Sequence, residues 1–248
     1  MKEKKKARKE SAPVADSTPA FLDRLRNAAL RFDYLILFLL IYIVYNTVSR
    51  MTMSGDTNPA AFLPLALILH QTVFFDAFVG AGLGPGVAYA FPLVNGHYVS
   101  LFPIVTPVLI TPVYFVSYLL FTIFGVAFDS MSIMILAKTS ATIIAALSCV
   151  FVYLAGKELF FKKTALATAL VYAFATSTWS VSSQALWQHG TVELLLILMI
   201  YLIIKNERER SRNTIIFLGL LTGLFVFNRP PDVVLLLPII GYVVWYER

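Results

Sequence analysis

Seven apolar runs, at about 34–49, 101–124, 131–155, 164–181, 190–204, 213–228 and 232–246, leave this chain few folds to choose from. Crossing the hydrocarbon core of a bilayer as a helix takes about 20 apolar residues. Several of these runs are shorter, so their ends must extend into the flanking polar motifs. Composition agrees: apolar residues make up 58%, charged residues 14%, and the mean hydropathy is +0.77. A soluble domain carries about a quarter charged residues. The expected architecture is an all-α membrane protein, a polytopic helix bundle of six to seven spans. The single Cys149 lies inside an apolar run, which excludes disulfides and cysteine-based metal sites within the chain. The net charge of +6 does not point to nucleic acid, because the basic residues flank apolar runs, as membrane topology requires.

The amino terminus divides in two. Residues 1–19 are charged and then rich in Ser, Pro and Ala, the composition of a disordered basic tail. Residues 20–33 set Phe21, Leu22, Leu25, Ala28, Ala29 and Phe32 at helical spacing opposite Asp23, Arg24 and Arg31. That pattern predicts an amphipathic helix lying on the membrane surface. The remainder, 34–248, forms one transmembrane module.

Charge selects the topology. The run 101–124 carries Pro103, Pro107 and Pro112 in its first half, which argues against a regular span and for a segment that dips in and returns. With the amino terminus inside and 101–124 returning, 17 of the 20 Lys and Arg lie inside, leaving only Arg50, Lys138 and Arg229 elsewhere. If 101–124 crosses once, the division is 11 against nine. The excess of Lys and Arg on cytoplasmic loops favours the first arrangement. A hairpin of two spans, with 60–79 also crossing, has the same parity. Either way Asp56, Asp76, His97, Tyr98, the Trp187-Gln188-His189 cluster and the Asn228-Arg229-Pro230-Pro231-Asp232 turn share the outer face.

The first outer loop spans 51–100. Its stretch 60–75 is apolar and helix-compatible, and Gly80, Gly82, Gly84, Pro85 and Gly86 form a flexible connector. No strand precedes these glycines and no Lys-Ser/Thr follows, so they are not a phosphate loop. Asn95-Gly96, between apolar and aromatic residues, predicts a small β-hairpin, because both turn positions need positive φ. It carries His97 and Tyr98.

Polar clusters at the ends of apolar helices are costly unless they face water, protein or a ligand. Asp56 either works as an acid–base group or caps the following helix. Asp76 is a carboxylate that orients a ligand or binds an ion, or a plain helix-end residue. Lys138, about seven residues into its run, is a ligand for an anion or a side chain snorkelling to the interface. Arg229 binds an anion or pairs with Asp232. His189 and Glu193, four apart, share a helix face beside Gln188. Trp187 offers a stacking face or an interfacial anchor. Two ligands at the His189–Glu193 spacing do not make a metal site without a third. No cofactor is called for, and a divalent cation stays open.

Four stretches, in order, resemble one known group: Ser-Gly-Asp after the first run; Asn-Gly-His-Tyr-Val-Ser-Leu-Phe-Pro; Thr-Ser-Thr-Trp-Ser with Leu-Trp-Gln-His-Gly; and Gly-Leu-Leu-Thr-Gly-Leu with Asn-Arg-Pro. They look like the multi-pass membrane glycosyltransferases of the GT-C type, which include protein O-mannosyltransferases and aminoarabinose transferases. The resemblance implies transfer of a sugar from a polyprenyl-phosphate carrier to an acceptor hydroxyl on the outer face. It implies Asp56 as the base, and Lys138, His189 and Arg229 around the leaving phosphate. Such enzymes continue through further spans, so the expectation is an amino-terminal module completed by a carboxy-terminal module or partner chain. The expected partners are the carrier lipid and membrane lipids, not nucleic acid. Two other readings stay open: a non-catalytic membrane scaffold, and a transporter, which the lack of a repeat disfavours.

Overall fold

The computed structural model describes residues 32–48, 52, 54–79, 85–126 and 129–246. The expected basic tail, nearly all of the expected amphipathic helix, and the connector glycines up to 84 lie outside these residues. Among the described residues the protein is helical apart from one two-stranded hairpin. Helix α1 is Asp33–Thr47 and α2 is Asn58–His70. A short α3, Asp76–Val79, and a 3₁₀ turn, Pro85–Ala90, precede strands β1, Leu93–Val94, and β2, His97–Tyr98. Then come α4, Val105–Ile123, α5, Ser130–Leu159, and α6, Lys162–Ala175. A π turn at Thr178–Ser182 leads into α7, Gln188–Glu209, followed by α8, Arg212–Asn228. A 3₁₀ segment, Pro230–Leu236, leads into α9, Leu237–Tyr246.

Among the described residues, three helices can by length and composition cross a membrane: α4, α5 and α7 as far as Arg208. The other apolar helices are shorter, as the short runs foreshadowed. Helix α5 is the hub, packed on α1, α6 and α7. Its seam with α6 is built from small residues. Ala165, Ala169 and Ala173 recur every fourth position, are fully buried, and meet Ala145, Ala146 and Cys149 in one cluster. A Cβ on Gly156 would lie 3.0 Å from that of Ala165. Backbones approach this closely in a membrane bundle only where side chains are small.

The two ends of the bundle are fixed by polar contacts. At one, Asp33 pairs with Lys157 at 3.3 Å and Lys162 at 2.8 Å, accepts from the Tyr153 hydroxyl at 2.6 Å, and lies at the same end as the Arg208–Glu158 pair. At the other, Lys138 reaches Gln184, Thr106 reaches Thr191 and Asn228, and Arg229 reaches His189. The loops 157–163 and 205–212 therefore share one end, and the polar motifs share the opposite one.

The stretch 101–124 corrects one expectation. It does not break at its prolines: α4 is one continuous helix with the length to cross a membrane. Pro103 precedes the helix, and Pro107 falls in its first turn, where backbone N–H groups lack intrahelical acceptors anyway. Only Pro112 removes a helical bond, that to the Val108 carbonyl. The chain still returns to the end it left. It departs at Thr106 and is back by Lys138.

The hairpin is as the sequence predicts. Leu93 faces Tyr98 and Val94 faces His97, around Asn95 at φ 52° and Gly96 at φ 85°.

Candidate functional site

A cleft of about 370 Å³ opens at the end of the bundle opposite Asp33, lined by Asp56, Phe102, Pro103, Trp187, Gln188, His189, Arg229, Pro230 and Pro231. Each wall comes from a helix terminus. Asp56 lies two residues before α2, in a turn that Thr57 closes by hydrogen-bonding Ser54 N–H at 3.0 Å. No side-chain bond caps α2, so Asp56 is not a helix cap. It is exposed, and its Oδ1 accepts from the Tyr89 hydroxyl. The carboxylate beside it raises the Tyr89 hydroxyl above its ordinary pKa. The Tyr89 ring covers Gly55 so closely that a Cβ there would collide with it.

Trp187, Gln188 and His189 open α7, where the backbone turns from the extended Trp187 into the helix. Trp187 meets His189 edge to face at 6.4 Å. Arg229 closes α8. Its Nε donates to Asp232 Oδ1 at 3.0 Å, and its Nη1 bonds His189 Nε2. A guanidinium has no acceptor, so His189 Nε2 is the unprotonated nitrogen of a neutral ring. Arg229 thus pairs with Asp232 and still faces the cleft. The arrangement offers a carboxylate on one wall, a guanidinium and imidazole on another, and an aromatic face between them.

Five of the residues singled out in the sequence stand elsewhere. Lys138 is 5% exposed and does not line the cleft. Its ammonium donates to Ser183 O at 3.0 Å and Gln184 Oε1 at 2.7 Å, beneath the turn leading to Trp187, so it does not snorkel. Glu193 accepts from Ser182 at 2.8 Å and Tyr172 at 3.2 Å, one turn beyond His189. Asp76 Oδ2 lies 2.7 Å from His97 Nδ1 and its Oδ1 accepts from Tyr98 N–H at 2.7 Å, tying the hairpin to α3. These bonds hold the Asp76 carboxyl below the usual range. His97 also stacks on Phe74 at 4.3 Å.

Tyr89, Phe102, Pro103, Pro230 and Pro231 were not named as site residues. Four of them lie in stretches that carry the family resemblance or in the Arg-Pro-Pro-Asp turn, so a signal existed. Tyr89 follows the glycine connector and gave none. Among the described residues no group of three or more His, Cys, Asp or Glu converges.

The model of the dolichyl-phosphate-mannose-protein mannosyltransferase family matches residues 112–248, just over half of the chain. The chain belongs to that family. It is a membrane glycosyltransferase of the class that draws its sugar from a polyprenyl-phosphate carrier. The matched stretch contains Lys138, Trp187, Gln188, His189, Glu193 and Arg229, and starts after Asp56, Tyr89, Phe102 and Pro103. One side of the cleft thus lies within the matched stretch and the other in the residues that precede it. No match was found among curated proteins, and none among solved structures.

Proposed function

We propose that the cleft transfers a sugar from a polyprenyl-phosphate donor to an acceptor hydroxyl, with Asp56 as base and inversion at the anomeric carbon. The observation that carries this reading is the placement of Asp56 in the same cleft as Arg229 and His189, on a different wall. A single displacement forms the bond from acceptor oxygen to anomeric carbon as the bond to phosphate oxygen breaks. The electron pair leaves with the phosphate, and the acceptor's proton passes to Asp56. Arg229 stabilises the charge that develops on the departing phosphate, and a charge-assisted contact of this kind contributes about 1.5–3 kcal/mol. Trp187 gives the sugar ring an apolar face. Lys138 acts by holding the Ser183–Gln184 turn, and Thr52 N–H meets the same turn through the Gln184 carbonyl at 3.5 Å. The cleft faces outward and the amino terminus lies in the cytoplasm, since 17 of the 20 Lys and Arg then lie inside.

The test is transfer of labelled sugar from a polyprenyl-phosphate donor in liposomes. Asp56→Asn preserves size and hydrogen bonding but accepts no proton, and the rate falls about 10²–10⁴-fold, the usual loss for a general base. Full activity in that variant removes the assignment.

A further inference from the structure

We infer that Asn228, which has no surface in the cleft, is a positioning residue that sets the spacing of three cleft walls. The inference deepens the transfer reading above and rests on it. Asn228 is fully buried, in the last residue of α8, beside the core that contains Phe225, Leu221 and Leu236. An amide is kept in such surroundings only when its polar atoms are matched. Here both are. Oδ1 accepts from the Thr106 hydroxyl at 2.9 Å, and Nδ2 donates to the Gln188 carbonyl at 3.0 Å. The Thr106 and Thr191 hydroxyls, both fully buried, lie 2.8 Å apart and extend the chain.

Every member of this chain is a cleft residue or lies within three positions of one. Asn228 precedes Arg229. Gln188 precedes His189 and lines the cleft itself. Thr106 follows Pro103 by three positions, and Thr191 follows His189 by two. The three segments are far apart in sequence, and contacts between α4 and α8 are few. Apolar packing tolerates sliding, whereas amide and hydroxyl bonds weaken steeply with angle. One side chain therefore fixes where the phosphate-facing arginine stands relative to the wall of Phe102 and Pro103 and to the start of α7. A misplacement of about 1 Å in a reacting site costs about 100-fold in rate.

The experiment uses the full chain in detergent, with Trp179 and Trp245 changed to Phe so that Trp187 reports on the cleft. Asn228→Leu keeps the volume and removes both bonds, while Thr106→Val and Thr106→Ser differ by the hydroxyl. Expected is a loss in kcat/KM of about 100-fold for Asn228→Leu, and about 10-fold for Thr106→Val, which removes the hydroxyl between Asn228 and Thr191 and leaves the Asn228–Gln188 bond in place. Thr106→Ser restores most of the rate. Acrylamide quenching of Trp187 rises in the two impaired variants and stays at the parent level in Thr106→Ser. Equal kcat, KM and quenching in Thr106→Val and Thr106→Ser overturns the inference. So do losses that follow the melting temperature while the folded fraction behaves as the parent. Should Asn228→Leu not fold, the Thr106 pair decides. A parent protein that transfers no sugar defeats the transfer reading alone, and the quenching series still decides the positioning.

Discussion

The two ends of the bundle use charge in opposite ways. At the Asp33 end charges are paired across helices: one carboxylate serves Lys157, Lys162 and the Tyr153 hydroxyl, and Glu158 takes Arg208. At the cleft end Arg229 meets Asp232 and His189 yet keeps a face towards open space, and among the described residues Asp56 meets the Tyr89 hydroxyl. Satisfied charges hold helices in register. Charges left facing a cavity are available to a ligand, and the cavity is where chemistry is expected. The same residue types thus tie helices together at one end and face a cavity at the other.

Three measurements sharpen or break that contrast. The largest effect belongs to Arg229→Ala. It removes a cation from the cleft, and affinity for polyprenyl phosphate falls about 10–100-fold, as for a lost charge-assisted bond. Unchanged binding by titration calorimetry in detergent erases the distinction between the ends. Next is Asp33→Asn, which leaves Lys157 and Lys162 facing each other without a carboxylate. Lys157 and Lys162 are 34% and 46% exposed, so solvent screens the loss. Stability falls by about 1 kcal/mol, within the range of exposed pairs, and transfer by the folded protein is unaffected. A rate loss at constant melting temperature would break the comparison from the other side.

The smallest effect is one of pH, at the hairpin. Asp76 is held below its ordinary value of 3.8 by His97 and the Tyr98 amide. A depressed carboxyl contributes stability that is complete above the ordinary value and is lost as pH falls through the depressed one. Hydrogen exchange at residues 93–98, corrected for intrinsic rates, should therefore keep its protection at pH 5 and lose it only below about pH 4. Asp76→Asn should abolish that acid step. Protection that declines already between pH 6 and 5 would mean that another group governs the hairpin.

What could be read in advance was local or statistical. Asn95-Gly96 announced its turn because few other dipeptides tolerate two positive φ values. The basic loops announced their common end because positive charge sorts to one side of a membrane. The illegible parts depend on partners far away in the chain. Thr106 and Asn228 are separated by 122 positions, and Lys138 and Gln184 by 46. No spacing rule joins them. Three prolines misled because their number was visible and their position within a helix was not. Only one of them fell where a backbone bond is lost. His189 and Glu193 did share a face, yet the hydroxyls of Ser182 and Tyr172 had already claimed the carboxylate.

On the proposed chemistry, the Tyr89 hydroxyl narrows the directions from which Asp56 can act as a base. With one lone pair of Oδ1 engaged, Oδ2 and the second lone pair of Oδ1 remain to receive a proton, and only from the directions those lone pairs define. On the proposed chemistry, an acceptor that presents its hydroxyl from the far side gains nothing by binding tightly. The cleft then sorts acceptors by angle of approach more than by affinity, and widening it would admit ligands without turning them into substrates.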